Sequence, residues 1–233
     1  MNELLWVSSI PLAYLLYRGT KVTYNDVIAY YRNKELDNLS NEKFTEKVKI
    51  IGVGGGGSAI VEYLSNKYPN RYDSIILNSD KKALTSKNVT NKIHLEKPDN
   101  LGCGSNTLCG YNLVNDSVIE KLKNFINTDK KVFIFATLGG GCGSGSVRAL
   151  SQYLPMKDLD IQYFLTTPFT WEGLKRTNRA NETIEFLKNN NAKTTIFSND
   201  DLLEFGYLTI KDCFNKQDEE FHKIIGLLFL EKS

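Results

Sequence analysis

Short apolar runs alternate with longer amphipathic stretches from residue 48 towards the end of the chain. Five runs have the length of a single buried strand, and they lie at 48–53, 74–77, 131–137, 161–166 and 194–197. Between them, apolar residues at helical spacing predict four helices, at 58–67, 115–127, 144–153 and 172–189. Strands that alternate with helices predict an α/β fold, with a Rossmann-like parallel sheet and helices on both faces.

The two ends of the chain have a different pattern. Residues 1–46 are predicted to form an N-terminal extension, with a short helix at 23–31 and a charged linker after it. The stretch 208–230 predicts a long helix that faces the core, because its apolar residues form one stripe: Phe214, Phe221, Ile225 and Leu228. We therefore expect one domain over residues 47–233, preceded by the extension.

A glycine-rich segment follows the first predicted strand. Residues 52–57 read GVGGGG and match the pattern G-x-G-x-x-G, with a helix expected from Ser58. Glycine lets the backbone approach phosphate oxygens, and a helix N-terminus favours an anion. Taken alone, this segment suits an NAD-dependent oxidoreductase, in which Asp80 after the second strand would bind a ribose.

A second glycine-rich segment follows the strand that ends near Thr137. Residues 139–146 read GGGCGSGS, and a helix is again expected after the glycines. So many glycines exceed what one structural turn needs, and Ser144 and Ser146 add hydroxyl donors. We therefore predict a second anion cradle, and two cradles that face one crevice suit a triphosphate. A side chain at Gly143 is expected to abolish nucleotide binding in a folded protein.

The second segment resembles the tubulin motif GGGTGTG or GGGTGSG, with Cys142 at the first threonine. Other segments are similar to FtsZ motifs in the same order: GVGGGGSA at 52–59 to GVGGGGNA, NSD at 78–80 to NTD, and LGCGSN at 101–106 to LGAGAN. Later, TPFTWEG at 167–173 resembles RPFSFEG, and NDDLL at 199–203 resembles NDRLL. The chain thus resembles a divergent FtsZ/tubulin-family GTPase domain that ends at the family's long central helix.

This resemblance implies binding of GTP or GDP, with Mg²⁺ accompanying the triphosphate. The positions that match the family's phosphate loops are Gly54, Gly55, Gly56, Gly57, Ser58, Gly102, Gly104, Ser105, Asn106, Gly140, Gly141, Cys142, Gly143, Ser144 and Gly145. Ribose contacts are implied for Thr167, Glu172 and Arg176, and base contacts for Asn199, Phe214 and Asp218. A carboxylate can accept hydrogen bonds from guanine, and an amide can donate to its O6. No metal site built from protein ligands is predicted.

Some of these residues have a structural alternative. Glu172 and Arg176 are four residues apart on a predicted helix, so they also suit an exposed salt bridge. Phe214 also suits the core, and Asp218 also suits a solvated helix face.

Composition excludes several classes of function. The net charge of +2 gives no electrostatic case for a nucleic-acid partner. Four cysteines, without a C-x-x-C pair or a zinc-finger histidine, are expected to be free thiols in a reducing cytosol. The apolar N-terminal stretch is interrupted by Ser8, Ser9 and Pro11, so neither a signal peptide nor a transmembrane segment is expected. We therefore expect a cytoplasmic protein.

In the resembled family, a neighbouring subunit's second domain completes the active site. The sequence ends at Ser233, so we expect this chain to lack that domain. The expected function is guanine-nucleotide binding in a cytoskeletal or cell-division process, with slow or partner-dependent GTP hydrolysis. The expected partner is the chain itself or a full-length FtsZ/tubulin-like homologue. One alternative is a non-catalytic regulator that caps or modulates that homologue's filaments, and the NAD-dependent oxidoreductase is a less favoured one.

Overall fold

A single parallel sheet forms the centre of the computed structural model, which describes residues 47–99, 101–127, 129–205 and 208–230. The predicted extension over residues 1–46 lies outside the described residues. The strands are β1 (Val48–Val53), β2 (Tyr72–Asn78), β3 (Asn91–His94), β4 (Lys131–Thr137), β5 (Asp160–Thr167) and β6 (Lys193–Ser198). They lie in the order β3-β2-β1-β4-β5-β6, and every pair is parallel. The predicted α/β fold is confirmed.

Helices connect these strands and cover the sheet. In the described ranges they are α1 (Gly54–Lys67), α2 (Lys81–Thr85), α3 (Thr107–Asn112), α4 (Asp116–Ile126), α5 (Gly141–Tyr153), α6 (Leu174–Asn189) and α7 (Ile210–Leu230). Two 3₁₀ segments, Thr170–Glu172 and Asn199–Phe205, follow β5 and β6. The sequence analysis missed β3, α2 and α3, because elements of four to six residues are too short to show a period.

Apolar side chains are buried on both faces of the sheet. One face packs against α4, α5 and α6, and the other against α1 and α7. On the second face, Phe221 of α7 lies with its ring centre 4.8 Å from that of Phe197 and 5.6 Å from that of Phe135. The predicted stripe of α7 is confirmed at Phe221, Ile225 and Leu228, which are buried.

The first three strands and the last three strands occupy opposite halves of the sheet, and β1 and β4 meet in the middle. The chain proceeds from β1 to one edge and from β4 to the other, while Val53 at the end of β1 pairs with Ala136 near the end of β4. Helices that leave these two strands therefore start side by side. In open parallel sheets such a point forms a crevice for ligands.

Three predicted helices begin elsewhere in the structure. Helix α1 begins at Gly54 rather than Ser58, and α5 begins at Gly141 rather than Ser144. Most of the glycines in the two segments therefore lie in the first turns of helices. The sequence analysis placed the helix starts after them, because glycine has a low helix propensity. Helix α6 begins at Leu174, because Gly173 has a φ of 93° and separates α6 from the 3₁₀ segment.

The cysteines also depart from expectation. Cys103 and Cys109 form a disulfide, so the prediction of free thiols is wrong for this pair. The chain turns at Gly104, where φ is +56°, and this brings the two Cα atoms to 5.7 Å. Cys142 and Cys213 are free.

Candidate functional site

The first turns of α1 and α5 are in direct contact at the crevice. A Cβ built on Gly54 would lie 2.9 Å from the backbone nitrogen of Gly143. Gly54 also has a φ of +72°, which side chains rarely adopt. The structure thus brings together the two glycine-rich segments that the sequence analysis selected.

Neither of these two helices has a side-chain cap. Asp80, Asn106 and Asn115 cap α2, α3 and α4 through side-chain oxygens. The N-cap residues of α1 and α5 are Val53 and Gly140, and neither makes a side-chain capping bond. The first N–H groups of a helix need an acceptor and carry partial positive charge. Two uncapped ends beside one crevice therefore suit an anion with several charges, such as an oligophosphate.

Many of the glycines are required by close packing of the backbone. A Cβ on Gly57, Gly143 or Gly145 would lie 2.1, 2.5 or 2.0 Å from a carbonyl oxygen of a neighbouring element. By contrast, a Cβ on Gly55 or Gly140 would meet no atom within 4 Å. Glycine abundance here therefore reflects how tightly α1 and α5 approach their neighbours, as well as access to the crevice.

The position of Gly143 corrects one expectation. Its Cβ would point at the carbonyl oxygen of Thr137 rather than into open space. A valine at this position would push α5 away from β4, so the variant should lose stability rather than remain folded. Gly140 is a better site than Gly143 for a substitution that probes the crevice, because any residue can adopt its φ of −93°.

A third predicted segment, residues 101–106, adjoins the crevice. The carbonyl of Gly104 accepts a hydrogen bond from the N–H of Gly141 at 2.7 Å. The N–H of Cys103 donates to Ser79 Oγ at 3.1 Å. A Cβ on Gly102 would lie 3.5 Å from the Cβ of Asp80. The segment therefore joins the loop after β2 to the start of α5.

The predicted polar groups of these segments have different surroundings. Ser105 and Asn106 are exposed, and the Asn106 side chain accepts from the N–H of Cys109 at 3.0 Å. Ser58 and Ser144 are fully buried, and Ser144 Oγ accepts from the N–H of Gly139 at 2.8 Å.

Ser146 and Cys142 lie in the first two turns of α5. The buried Ser146 hydroxyl donates to the carbonyl of Gly110 at 3.0 Å, so this group is used in packing. Cys142 is half-buried and free. At these positions the backbone N–H groups, rather than the serine hydroxyls, are the groups that suit a phosphate.

A cavity of about 1150 Å³ lies between α1, α7 and the segment after β5. Pockets of this size hold small molecules as large as a nucleoside. Five of the predicted ribose and base residues line it: Glu172, Arg176, Asn199, Phe214 and Asp218. Gly56 of the first glycine segment lines it as well, so the cavity is continuous with that end of α1.

Glu172 and Arg176 form an ion pair at the cavity, with 2.7 Å between Oε2 and Nη1. Glu172 Oε1 also accepts from the N–H of Phe169 at 2.8 Å. The salt bridge that the spacing suggested is therefore present, and both side chains also line the cavity. Thr167 is half-buried at the end of β5, where the lining residue is its neighbour Thr166.

Two buried polar atoms of the cavity have no hydrogen-bond partner among the described residues. They are Asn199 Oδ1 and Thr166 Oγ1. Leaving such atoms unpaired costs free energy, so each is available to a ligand or a water in the cavity. Thr166 was not selected from the sequence, although its place at a strand end beside the TPFTWEG segment could have identified it.

Asp218 is 6% exposed, so the alternative of a solvated helix face is wrong. Burial, with a smaller contribution from the charge of Glu219, raises the pKa of Asp218 to about 8. Phe214 is half-buried and lies with its ring 6.1 Å from that of Phe169. The cavity therefore combines an aromatic ring, an amide and a carboxyl group, which are the groups that a purine base would need.

Comparison with known proteins identifies the family of this chain. A family model described as the GTPase domain of the Tubulin/FtsZ family matches residues 47–206. The chain belongs to the tubulin/FtsZ family. The resemblance drawn from the short motifs is thereby confirmed, and the NAD-dependent alternative has no support from the family.

Several relatives are similar over most of this chain. The cell division protein FtsZ of Mycoplasmopsis pulmonis (strain UAB CTIP) is 33% identical over 184 residues, which are 77% of this chain and 46% of that protein. FtsZ of Aquifex aeolicus (strain VF5) is 31% identical over 183 residues, 77% of this chain and 50% of that protein. The chain thus spans about half the length of these curated relatives.

Solved structures of the family share the architecture. An FtsZ dimer of M. jannaschii has a TM-score of 0.69 and 26% identity, covering 86% of this chain and 60% of that chain. Within the described ranges, no helix is long and apolar enough to cross a membrane. The same ranges hold no group of three or more His, Cys, Asp or Glu side chains arranged to bind a metal ion.

Proposed function

We propose that this chain binds guanine nucleotides, with the phosphates at the N-termini of α1 and α5 and the nucleoside in the adjoining cavity. One observation carries the proposal. Two helix N-termini without side-chain caps meet beside a cavity in which Asn199 Oδ1 is buried and has no hydrogen-bond partner in the described part of the chain. Such an arrangement offers partners to both ends of a nucleotide, and the family model's description as a GTPase domain supports the choice of GTP.

Base selection is proposed to depend on Asp218 and Asn199. The ionised Asp218 carboxylate would accept from the N1–H and exocyclic amine of guanine. Adenine presents an unprotonated ring nitrogen at the corresponding edge, which would face the carboxylate lone pairs. A site built around specific hydrogen bonds rejects analogues that leave its groups unpaired. We therefore expect clear discrimination between GTP and ATP.

Mg²⁺ is proposed to accompany the triphosphate. This ion usually keeps several waters and takes its other ligands from phosphates and one or two carboxylates. It therefore needs no cluster of protein ligands. The proposed phosphate-binding residues remain those of the three glycine-containing segments.

Hydrolysis is proposed to be slow or dependent on a partner. Attack on the terminal phosphate needs a water held in line and a group that orients it. Three carboxyl groups near the crevice and cavity have other roles: Asp80 caps α2, Glu172 pairs with Arg176, and Asp218 is buried. A second copy of the chain or an FtsZ-like homologue could supply the missing group. The FtsZ relatives are cell division proteins, which supports a role in that process. The process is proposed to be cytoplasmic and filament-associated.

Calorimetric titration with GTP, GDP, ATP and NAD tests the proposal. GTP and GDP should bind, ATP should bind at least about tenfold more weakly, and NAD should not bind. Asn199→Ala should weaken GDP binding, whereas Asn178→Ala, at an exposed position of α6, should leave it unchanged. Equal affinities for GTP and ATP would contradict the base assignment, and absence of all binding would contradict the proposal as a whole.

Measuring phosphate release distinguishes a partner-completed GTPase from a non-catalytic capping regulator. The chain alone should turn over GTP slowly. Acceleration on adding a full-length FtsZ would favour a partner-completed GTPase, whereas inhibition of that FtsZ's own turnover would favour a capping regulator.

A further inference from the structure

Three of the four cysteines lie around one corner of the proposed phosphate site. Cys103 and Cys109 are joined by a disulfide that spans residues 104–108, and Cys142 lies in the first turn of α5. The backbones come close at this corner, since a Cβ on Gly110 would lie 3.0 Å from the Cα of Cys142. The disulfide is therefore part of the wall against which α5 begins.

The bridged segment is connected to the crevice by two hydrogen bonds of its backbone. On the Cys103 side, the backbone N–H donates to Ser79 Oγ. On the Cys109 side, the backbone N–H donates to the side chain of Asn106, which lies within the segment and caps α3. Between them, the carbonyl of Gly104 accepts from Gly141 at the start of α5. None of residues 103–109 lines the cavity proposed for the nucleoside, so the segment adjoins the site at its phosphate end, away from the nucleoside. A change in the freedom of this segment therefore acts on the phosphates rather than on the base.

We propose that Cys103 and Cys109 are a reversible redox modification site, and that their disulfide strengthens binding of the terminal phosphate of a nucleoside triphosphate. This inference rests on the proposed nucleotide-binding function. Closing a short ring removes conformations that the segment would otherwise sample. In the dithiol form, nucleotide binding has to order the segment, so part of the binding free energy is lost.

The middle of the bridged segment is open to solvent. Gly104 has a φ of +56° and a Cβ there would meet nothing within 4 Å. Ser105 and Asn106 are exposed, and so is the neighbouring Leu101. Backbone hydrogen bonds hold the middle of the ring, since Gly104 accepts from Gly141 and the N–H of Asn106 donates to the carbonyl of Cys103 at 3.0 Å. The disulfide adds a covalent restraint to this hydrogen-bonded segment.

Exposure decides the order of the chemical steps. Cys109 is half-buried and Cys103 is buried, so the Cys109 thiolate is the one that a small oxidant reaches. It attacks one sulfur of glutathione disulfide and releases one glutathione thiolate. The Cys103 thiolate then attacks the Cys109 sulfur of the mixed disulfide and releases the second. Glutathione disulfide thereby accepts the two electrons, and the two cysteine protons pass to the solvent or the released thiolates.

The experiment compares the full chain after treatment with dithiothreitol and after treatment with glutathione disulfide. Alkylation under denaturing conditions, followed by mass spectrometry, should find four reactive thiols in the reduced chain and two in the oxidised chain. Calorimetry should show GTP affinity about five- to tenfold higher in the oxidised chain. GDP affinity, which does not depend on a terminal phosphate, should change less than about twofold.

Two variants provide the controls. The Cys103→Ser/Cys109→Ser double variant should bind GDP normally and lose the redox response for GTP. Cys213→Ser, at a buried cysteine of α7, should keep that response. Four reactive thiols after oxidation would overturn the proposal, and so would a GTP affinity that is equal in both states while both nucleotides bind. Absence of GDP and GTP binding in both states would instead remove the proposed function together with this inference.

Discussion

Protons should be released when guanine nucleotides bind, because of the position of Asp218. Without a nucleotide, burial raises the pKa of this carboxyl group to about 8, so it is mostly neutral at pH 7. Guanine presents two donors, which need the ionised form. Binding should therefore lower the pKa of Asp218 and release its proton.

The size of this effect follows from the pKa in the free protein. At pH 7, about one molecule in ten is ionised at a pKa of about 8, so binding costs about 1.4 kcal/mol to ionise Asp218. If the pKa in the complex lies well below 6, affinity rises about 50-fold from pH 6 to pH 8 and then levels off. At pH 7 about 0.9 proton should leave for each nucleotide bound.

Calorimetry in buffers with different ionisation enthalpies measures this proton release. The nucleotide phosphates also titrate, so the quantity to compare is the difference between the wild type and Asp218→Asn. The variant should bind GDP more weakly and lose the extra proton, while Asp212→Asn, at an exposed position of the same helix, should behave as the wild type. Identical proton release by the wild type and Asp218→Asn would refute the role assigned to this carboxyl group.

Three further predictions concern packing, acid stability and turnover. Gly143→Val should lower the free energy of unfolding by about 3 kcal/mol through overpacking, whereas Gly140→Val should unfold at the same urea concentration as the wild type but bind GDP more weakly. Burial lowers the pKa of His222 to about 4, so its stabilising effect is complete above pH 6.5 and is lost as the pH falls towards 4. Asp218, whose pKa burial raises to about 8, adds stability over the same interval, so the quantity to compare is the difference in the free energy of unfolding between the wild type and His222→Gln. In urea titrations this difference should fall by about 2 kcal/mol from pH 6.5 to pH 4. Sedimentation with GTP should recover no long filaments of the chain alone, and pelletable filaments with steady phosphate release would contradict the partner-dependent reading.

The sequence was most informative where several signals agreed. Each of the five predicted strands is present, because each is a short apolar run followed by a turn or a helix. The two glycine segments were placed at one crevice because strand ends in a parallel sheet lie on the same edge. Family motifs then selected Asn199 and Asp218, which the structure places in one cavity.

What the sequence could not supply is the direction in which small residues face. Gly140 and Gly143 are equivalent in the motif, yet a side chain at one meets open space and at the other meets a carbonyl oxygen. The disulfide between Cys103 and Cys109 was missed for a related reason, since their approach depends on a left-handed turn at Gly104. Such features arise from tertiary geometry rather than from local pattern.

The order of the strands also has a consequence for how this protein folds. Strands β1 and β4 are neighbours in the sheet but about 80 residues apart in the chain, whereas β1 to β3 and β4 to β6 are each linked locally. Each half can therefore form its own contacts early in folding, whereas the pairing of β1 with β4 has to close the longest loop. Because one glycine segment belongs to each half, the phosphate cradle is formed only when that junction closes. A nucleotide that binds there holds the two halves together and should slow their separation, so the late step in folding is also the step that the ligand stabilises.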